Sequence, residues 1–482
     1  MNQATIVNKV WGFATVLQQS GVAYTDYVMQ FTYLLFLKMD EEREELANEG
    51  SLVPAKYRWK HLKRLTGDEL VRHYRDMLET LATGDGLLRT IYSKAQNKIN
   101  EPARLQRLIQ LIDEETWLGL DMDIKGAIYE GLLSRNAEES KAGAGQYFTP
   151  RPLIRAMVDV MRPQPTMTVC DPACGTGGFL LAAYDFMRQQ TQERKAILKL
   201  QNEKLHGSDI TEQVAALCAM NMYLHGISGA CIESGKDALL MDDGNRYDMV
   251  LANPPFGKKS SYTIVGDDGK STQERENYER DDFKVTTSNK QLNFLQHIMT
   301  ILKVGGTAAV VLPDNVLFEA GAGEKLRKRL LNDFDLHTIL RLPTGIFYKQ
   351  GVKANVLFFD KKPAATTPWT KETWVFDFRT NMHFTLVERP LQREDLNEFV
   401  AAYKPESRTK RKETERFKCF TYAELAARDK LNLDIFWLKD DSLEDVDNLP
   451  APDIIAAEIV DNLEAALEQF RGVAEQLQKT EA

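Results

Sequence analysis

The chain has 482 residues, 43% hydrophobic and 27% charged, which is room for about three domains at the usual size and for a large buried core. Its 61 Lys and Arg against 70 Asp and Glu leave a net charge of −9, which excludes a whole-molecule electrostatic grip on nucleic acid; any such contact must be local or shared with another chain. The five cysteines (Cys170, Cys174, Cys218, Cys231, Cys419) form neither a CxxC pair nor a disulfide or zinc framework, and no window reaches the roughly 18 apolar residues a bilayer span needs, so a cytoplasmic protein without membrane or metal is expected.

From Asn2 to about Ser140, apolar residues recur at helical spacing. One run holds Val7, Val10, Phe13, Ala14 and Leu17; after Gly21 a second holds Tyr27, Phe31, Leu34, Leu35 and Met39, with Thr25 and Asp26 as its expected cap. Further helices are predicted over Asp68 to Leu81, Gly86 to Asn97 and Pro102 to Leu111, giving a helical N-terminal domain over 1–142. After Gly143 the pattern changes to short β-branched runs alternating with helical ones. Strands are expected at Thr168 to Cys170, Leu205 to Ser208, Tyr247 to Ala252, Gly306 to Leu312, Leu336 to Leu342 and Asn355 to Phe359, with helices between most of them. This alternation predicts an α/β core over 143–400 with a parallel, doubly wound sheet that binds ligands at its C-terminal strand ends.

Residues 257–290 are polar and read either as a binding loop or lid, or as hiding an element the pattern does not reveal. Residues 403–418 carry seven basic and three acidic residues and read as a solvated linker or as a DNA-backbone contact. Beyond Pro452, Ile455, Ile459, Leu463, Leu467, Phe470, Val473 and Leu477 form a helical stripe suited to packing on its own protein or on a partner helix. Residues 401–482 are thus expected to be a basic linker followed by an acidic helical assembly segment.

Two constellations carry chemistry. The first is a short strand entering Asp171-Pro172-Ala173-Cys174-Gly175-Thr176-Gly177-Gly178 and then a helix. Glycines there let a backbone approach a nucleotide-type ligand, although a merely tight strand-to-helix turn would use them as well. On this reading Gly177→Asp fills the approach and removes ligand binding. The next strand ends in Asp209, whose carboxylate can accept from two ribose hydroxyls; it lies too far along the chain for the dinucleotide fingerprint.

The second is the buried strand Tyr247 to Ala252 running into Asn253-Pro254-Pro255-Phe256-Gly257. Prolines at a strand end leave their carbonyls to turn toward a ligand. The Asn253 amide oxygen and the Pro254 carbonyl then converge as two acceptors for one amino group beside the aromatic face of Phe256. An exocyclic amine on a base flipped out of its duplex fits that arrangement. Gly266 to Ser271 superficially suggests a phosphate loop, but Ile264 stands where the first glycine must be.

These motifs, DPACGTGGFL and NPPFG, resemble those of amino-methyltransferases that use S-adenosylmethionine. GQYFTPRP (145–152), TTSNKQ (286–291), PDNVLFE (313–319), LPTGIF (342–347), FLKM (36–39) and LDIFWLKD (433–440) make the chain similar to the modification (M) subunit of type I restriction–modification systems over nearly its whole length. The resemblance implies a Rossmann-like fold and N6-adenine methylation of double-stranded DNA. It places cofactor contacts on Gln146, Tyr147, Phe148, Thr149, Pro150, Arg151, Thr176, Gly177, Gly178 and Asp209, with Asp171 at the methionine end and Asp237 at the adenine. It also assigns target recognition to a specificity (S) subunit, with two M chains per S, and cleavage and translocation to a restriction (R) subunit. Methylation of an RNA base or a protein Gln is the alternative for the same NPPF site. The charge then divides unevenly: residues 439–482 hold three basic and twelve acidic residues, so the acidity belongs to the tail and suits a protein neighbour.

Overall fold

The computed structural model describes residues 21–47, 50–117, 149–227, 229–256, 261–265, 271–275, 278–347, 352–386 and 388–439, with a few isolated positions elsewhere. Gln146, Tyr147, Phe148, Gly257, most of the first apolar run and most of the C-terminal stripe lie outside the described residues. The chain forms two compact units, Met1–Phe148 with Pro163–Ala238, and Thr149–Arg162 with Leu239–Ala482. Among the described residues, no helix is long and apolar enough to cross a membrane.

Among the described residues the first unit opens with α1 (Tyr24–Ala47), a one-turn helix at Trp59–Leu62, α2 (Gly67–Ala82), α3 (Gly86–Tyr92) and α4 (Pro102–Asp113), while α5 (Arg151–Met161) belongs to the second unit. α1 begins before Thr25, so the expected cap falls inside its first turn. Val28, Phe31, Leu34, Leu35, Phe36 and Leu37 are all buried, the burial pattern of a central helix rather than of an amphipathic surface one. Its buried acids are all paired: Asp40 accepts from Leu52 N at 2.9 Å, Glu41 from Lys60 N at 2.6 Å, and Glu42 meets Lys38 at 3.3 Å.

The same unit continues through β1 (Val169–Asp171), α6 (Gly178–Arg188), α7 (Arg194–Glu203), β2 (Leu205–Asp209), α8 (Glu212–Leu224) and β3 (Cys231–Ser234), its three strands parallel. Every residue of α8 from Ala215 onward is buried. One hydrophobic core joins its Ala216, Leu217, Met220 and Tyr223 to α1, α2 and α4, so the N-terminal helices and the first strands form one body.

The second unit carries β4 (Tyr247–Ala252), β5 (Ser261–Val265), β6 (Ser271–Arg275), α9 (Lys290–Ile301), β7 (Leu302–Pro313), α10 (Ala322–Asp333), β8 (Phe334–Arg341), β9 (Ala354–Lys361), β10 (Glu372–Asp377), α11 (Asn397–Tyr403) and β11 (Phe417–Thr421). Its main strands lie in the order β11-β10-β8-β9-β7-β4. β4 with β7 is parallel as expected and β8 pairs in parallel with β10, a strand the pattern did not predict, but against the expected all-parallel sheet β9 is antiparallel to both its neighbours and β11 to β10. Among the described residues no helix separates β8 from β9, and the chain returns along the strand it has just made.

The polar stretch 257–290 hides an element: β5 and β6 form an antiparallel hairpin. Its later part is pinned to α9. Asn289 caps that helix, accepting from Gln291 N at 3.0 Å, while Gln296 accepts from Lys284 N and Val285 N at 2.9 and 3.1 Å.

In the basic segment 403–418, Arg408 and Arg411 are taken up inside the fold while Lys410 and Lys412 stay exposed. Arg411 is buried, donating to Tyr403 O at 2.7 Å, Thr338 Oγ1 at 2.9 Å and His337 O at 3.2 Å, with its guanidinium 4.5 Å from the Tyr403 ring. Arg408 pairs with Asp360 at 2.6 Å, and the segment runs into β11. The expected consequence is that Arg411→Ala destabilises the protein by about 2–4 kcal/mol in denaturant titration, by unsatisfying several buried partners at once. It leaves the salt dependence of DNA binding unchanged, whereas loss of a phosphate contact would lower that slope.

Candidate active site

In the first unit, the parallel register sets Asp171 opposite Gly207 and Asp209 opposite Ser234, so two carboxylates and the turn Gly235–Asp237 all lie where the strands end. The Gly-rich turn is stitched to β2: Cys174 N donates to Ser208 O at 3.0 Å and Ser208 Oγ to Pro172 O at 3.3 Å. Gly175 N donates to Asp209 Oδ2 at 3.2 Å, and Thr211 N to Asp209 Oδ1 at 2.8 Å. Behind the turn, Asn221 Nδ2 of α8 holds Thr176 O at 2.9 Å. Gly178 opens α6, and Asp237 sits partly exposed after β3.

The electrostatics are those of a site waiting for a cation and hydroxyls. Burial pushes the Asp171 carboxyl up to about 8, with Asp209 adding to the rise, while its hydrogen bond from Ala173 N at 3.0 Å pulls the other way. Burial also raises Asp209, opposed by the N–H groups of Thr211 and Gly175. A ligand that brings a positive group to Asp171 and a diol to Asp209 relieves both.

The glycines divide their labour. Gly175 has φ +53° and open space where a Cβ would stand. Gly177 has φ +84°, and a Cβ there would lie 2.7 Å from Met222 Cε and 2.9 Å from Cys218 Sγ. At Gly177 the missing side chain makes room for α8, so Gly177→Asp tests folding as well as ligand binding. Cys174 and Cys218 are buried free thiols in this packing. Directly after Asp209, Ile210 is 62% exposed, an aliphatic face at the end of β2.

In the second unit, β4 delivers Asn253 at its C-terminal end. Asn253 and Thr149 are both buried, and Asn253 Nδ2 donates to Thr149 Oγ1 at 2.9 Å. Pro254 is buried, Pro255 partly so. The Phe256 ring stands edge-on to Phe347, centroids 5.9 Å apart at 73°. Phe347 ends the LPTGIF stretch, where Gly345 (φ +80°) lies so close to the Phe384 carbonyl that no side chain fits. Two other motif stretches are also joined, Asn289 Nδ2 donating to Glu319 Oε2 at 2.9 Å. Of the cofactor residues expected from the resemblance, Thr149, Pro150 and Arg151 lie in this unit, with Pro150 capping α5 and Arg151 beginning it.

Two outcomes follow. Gly177→Ala lowers stability by about 2 kcal/mol or more through overpacking against α8, whereas Gly175→Ala meets only the left-handed backbone strain of about 1 kcal/mol; paired denaturation curves check the order. For Asp171, the folded carboxyl at about 8 lies above its unfolded value near 4. The stability it lends is complete below about pH 4 and is lost as pH rises to about 8. Asp171→Asn is therefore expected to gain stability relative to wild type between pH 5 and pH 8, read from unfolding free energies at the two pH values.

Comparison with known proteins bears on both halves. Residues 120–439 match the N-6 DNA Methylase family and residues 6–112 the HsdM N-terminal domain. The chain is 37% identical to the type I restriction enzyme EcoKI methylase subunit of Escherichia coli, over 99% of this chain and 96% of that one. It is 36% identical, with the same coverage, to the StySJI methylase subunit of Salmonella typhimurium. A solved chain from work on complex assembly and conformational transition of the type I R-M system matches with a TM-score of 0.74 and 26% identity, covering 99% of each.

Proposed function

The chain belongs to the N-6 DNA methylase family as a type I restriction–modification methylase subunit that methylates N6 of adenine in DNA, and from that premise we propose how its residues divide the work. Methylation of an RNA base or a protein Gln is not favoured, because the matched family is one of DNA methylases.

The methyl donor we assign is S-adenosylmethionine, which supplies a methyl group already activated on a sulfonium. The residues present fit it. The open space at Gly175 and the two raised carboxyls suit a ligand with an ammonium and a ribose diol. Asp171 takes the ammonium of the methionine end, Asp209 accepts from the ribose hydroxyls, and Ile210 offers its exposed aliphatic face to the adenine, with Asp237 and the backbone of Thr176 to Gly178 completing the cradle. Gln146, Tyr147 and Phe148, outside the described residues, together with Pro150 and Arg151, stay assigned to the donor on the resemblance.

The observation that carries the acceptor side is the seated amide of Asn253 at the end of β4. Asn253 Oδ1 and the Pro254 carbonyl accept the two N6 hydrogens of a flipped adenine, which turns the nitrogen lone pair toward the incoming methyl. Phe256, braced edge-on by Phe347, stacks on the base. With the nucleophile aligned and the methyl preactivated, no protein group needs to remove a proton before transfer.

Target choice is assigned to a specificity subunit, two modification chains to each, with a restriction subunit joining for cleavage; no stretch here reads as a major-groove recognition element. The acidic tail with its apolar helical stripe after Pro452 is the segment we assign to that assembly. Asn253→Ala is expected to abolish methylation of cognate DNA while leaving donor affinity near wild type, and Asp209→Ala to weaken donor binding by about tenfold or more for its lost charged hydrogen bonds. Labelled-donor transfer with the specificity partner present, alongside calorimetric titration of the donor, reads both. A fully active Asn253→Ala variant removes Asn253 from the site.

A further inference from the structure

We propose that Thr149 is a positioning residue for methyl transfer, holding the amide of Asn253 so that its oxygen, not its nitrogen, meets the target amine. This rests on the reading that Asn253 receives the adenine N6 hydrogens. An Asn amide has an acceptor end and a donor end of nearly equal size, exchanged by rotation about one soft torsion. If the NH2 end faced the base, two donors would oppose each other and the nitrogen lone pair would not be steered. In this structure the Thr149 hydroxyl takes the acceptor role: Nδ2 donates to Thr149 Oγ1 at 2.9 Å, between two buried residues that lie 104 positions apart in the chain.

Thr149 is well placed to act as a fixed stop. Its side chain is branched at Cβ and stiff about its first torsion. The following Pro150 restrains its backbone to extended conformations. Pro150 O in turn accepts from Leu153 N at 3.0 Å and Ile154 N at 3.1 Å, which ties Thr149 to the first turn of α5. α5 buries Leu153, Ile154, Ala156, Met157 and Val160, and its Asp159 takes the guanidinium of Arg393 at 2.8 and 2.5 Å. The hydroxyl is therefore anchored through a helix that is itself held at both its apolar and its polar face. On the acceptor side, Asn253 is carried by β4, which pairs with β7 up to Ala252.

The resemblance alone places Thr149 among the donor contacts, and the two roles separate by experiment. Thr149→Val keeps the shape and removes the hydroxyl; Thr149→Ser keeps the hydroxyl. Each is assembled with the specificity partner and assayed on cognate DNA, with donor affinity measured by calorimetry and folding by thermal melting. The expected result is that Val lowers kcat by about tenfold or more, Ser stays within about threefold of wild type, and both bind the donor within about twofold of wild type, as befits one lost hydrogen bond that orients a reacting group. Wild-type kcat in the Val variant overturns the proposal, as does a loss carried wholly by donor affinity. Should the Val variant not fold, the Ser and Ala variants carry the comparison, and an Ala variant as fast as Ser overturns it. Asn253→Ala run in parallel distinguishes the failures: activity there sinks the assignment of Asn253, whereas its inactivity beside a full-speed Val variant sinks the role of Thr149 alone.

Discussion

A primary amide can sort hydrogen-bond donors from acceptors only if something denies it rotation, and the hydrogen bond from Asn253 to Thr149 is that restraint. Much of the second unit serves the two ends of this bond. The sheet carries one end: β4 lies against β7, whose antiparallel neighbour β9 fills the space before β8. α5 carries the other end, clamped by its buried face and by Arg393. The aromatic partner of the site obeys the same logic, since Phe256 meets Phe347 on a loop whose path requires a glycine at 345. Placing reacting groups on rigid elements and bracing them from behind is what a transfer governed by alignment demands.

The first unit solves a different problem, which is to hold two carboxyl groups at the ends of adjacent strands by hydrogen-bond donors. Asp171 is met by one N–H from Ala173 and Asp209 by two, from Gly175 and Thr211. Backbone donors orient a carboxylate without neutralising it, so the rise in both carboxyls persists in the protein alone. The buried α8 makes this tolerable: its Asn221 holds the turn from behind, and its Cys218 and Met222 fill the space that Gly177 leaves. Folding strength comes from the helical core, while at the strand ends burial disfavours the charged form of both carboxyls.

What the sequence made legible was local and contiguous. The Gly-rich turn, the acid after β2 and the Asn-Pro-Pro-Phe strand end can each be read because a few adjacent residues carry both the geometry and the chemistry. Most predicted helices and strands fall within a few residues of those observed. What stayed hidden depended on distance along the chain. The bond between Thr149 and Asn253 and the stack of Phe256 on Phe347 join segments no periodicity connects. The strands β3, β10 and β11 are short or flanked by polar residues, and their pairing supplies the reason for their form. Charge was misleading at 403–418 for a definite cause: a basic run looks solvated until one sees that Arg411 and Arg408 are consumed inside the fold. The packing of Gly177 against α8 stayed hidden because a glycine beside a helix and one beside a ligand look the same in one dimension.

The strand β11 has a consequence for how the chain is made. It caps β10, which would otherwise present its unpaired backbone at the edge of the sheet. Because the ribosome delivers residues 372–377 well before residues 417–421, β10 spends an interval of every synthesis as an open edge, guarded only by what has already emerged. The buried guanidinium of Arg411 arrives just ahead of β11 and docks on β8 and α11. It ties the stretch just ahead of β11 to the neighbouring β8 and α11, so the strand that covers this edge is anchored immediately beside the place where it pairs.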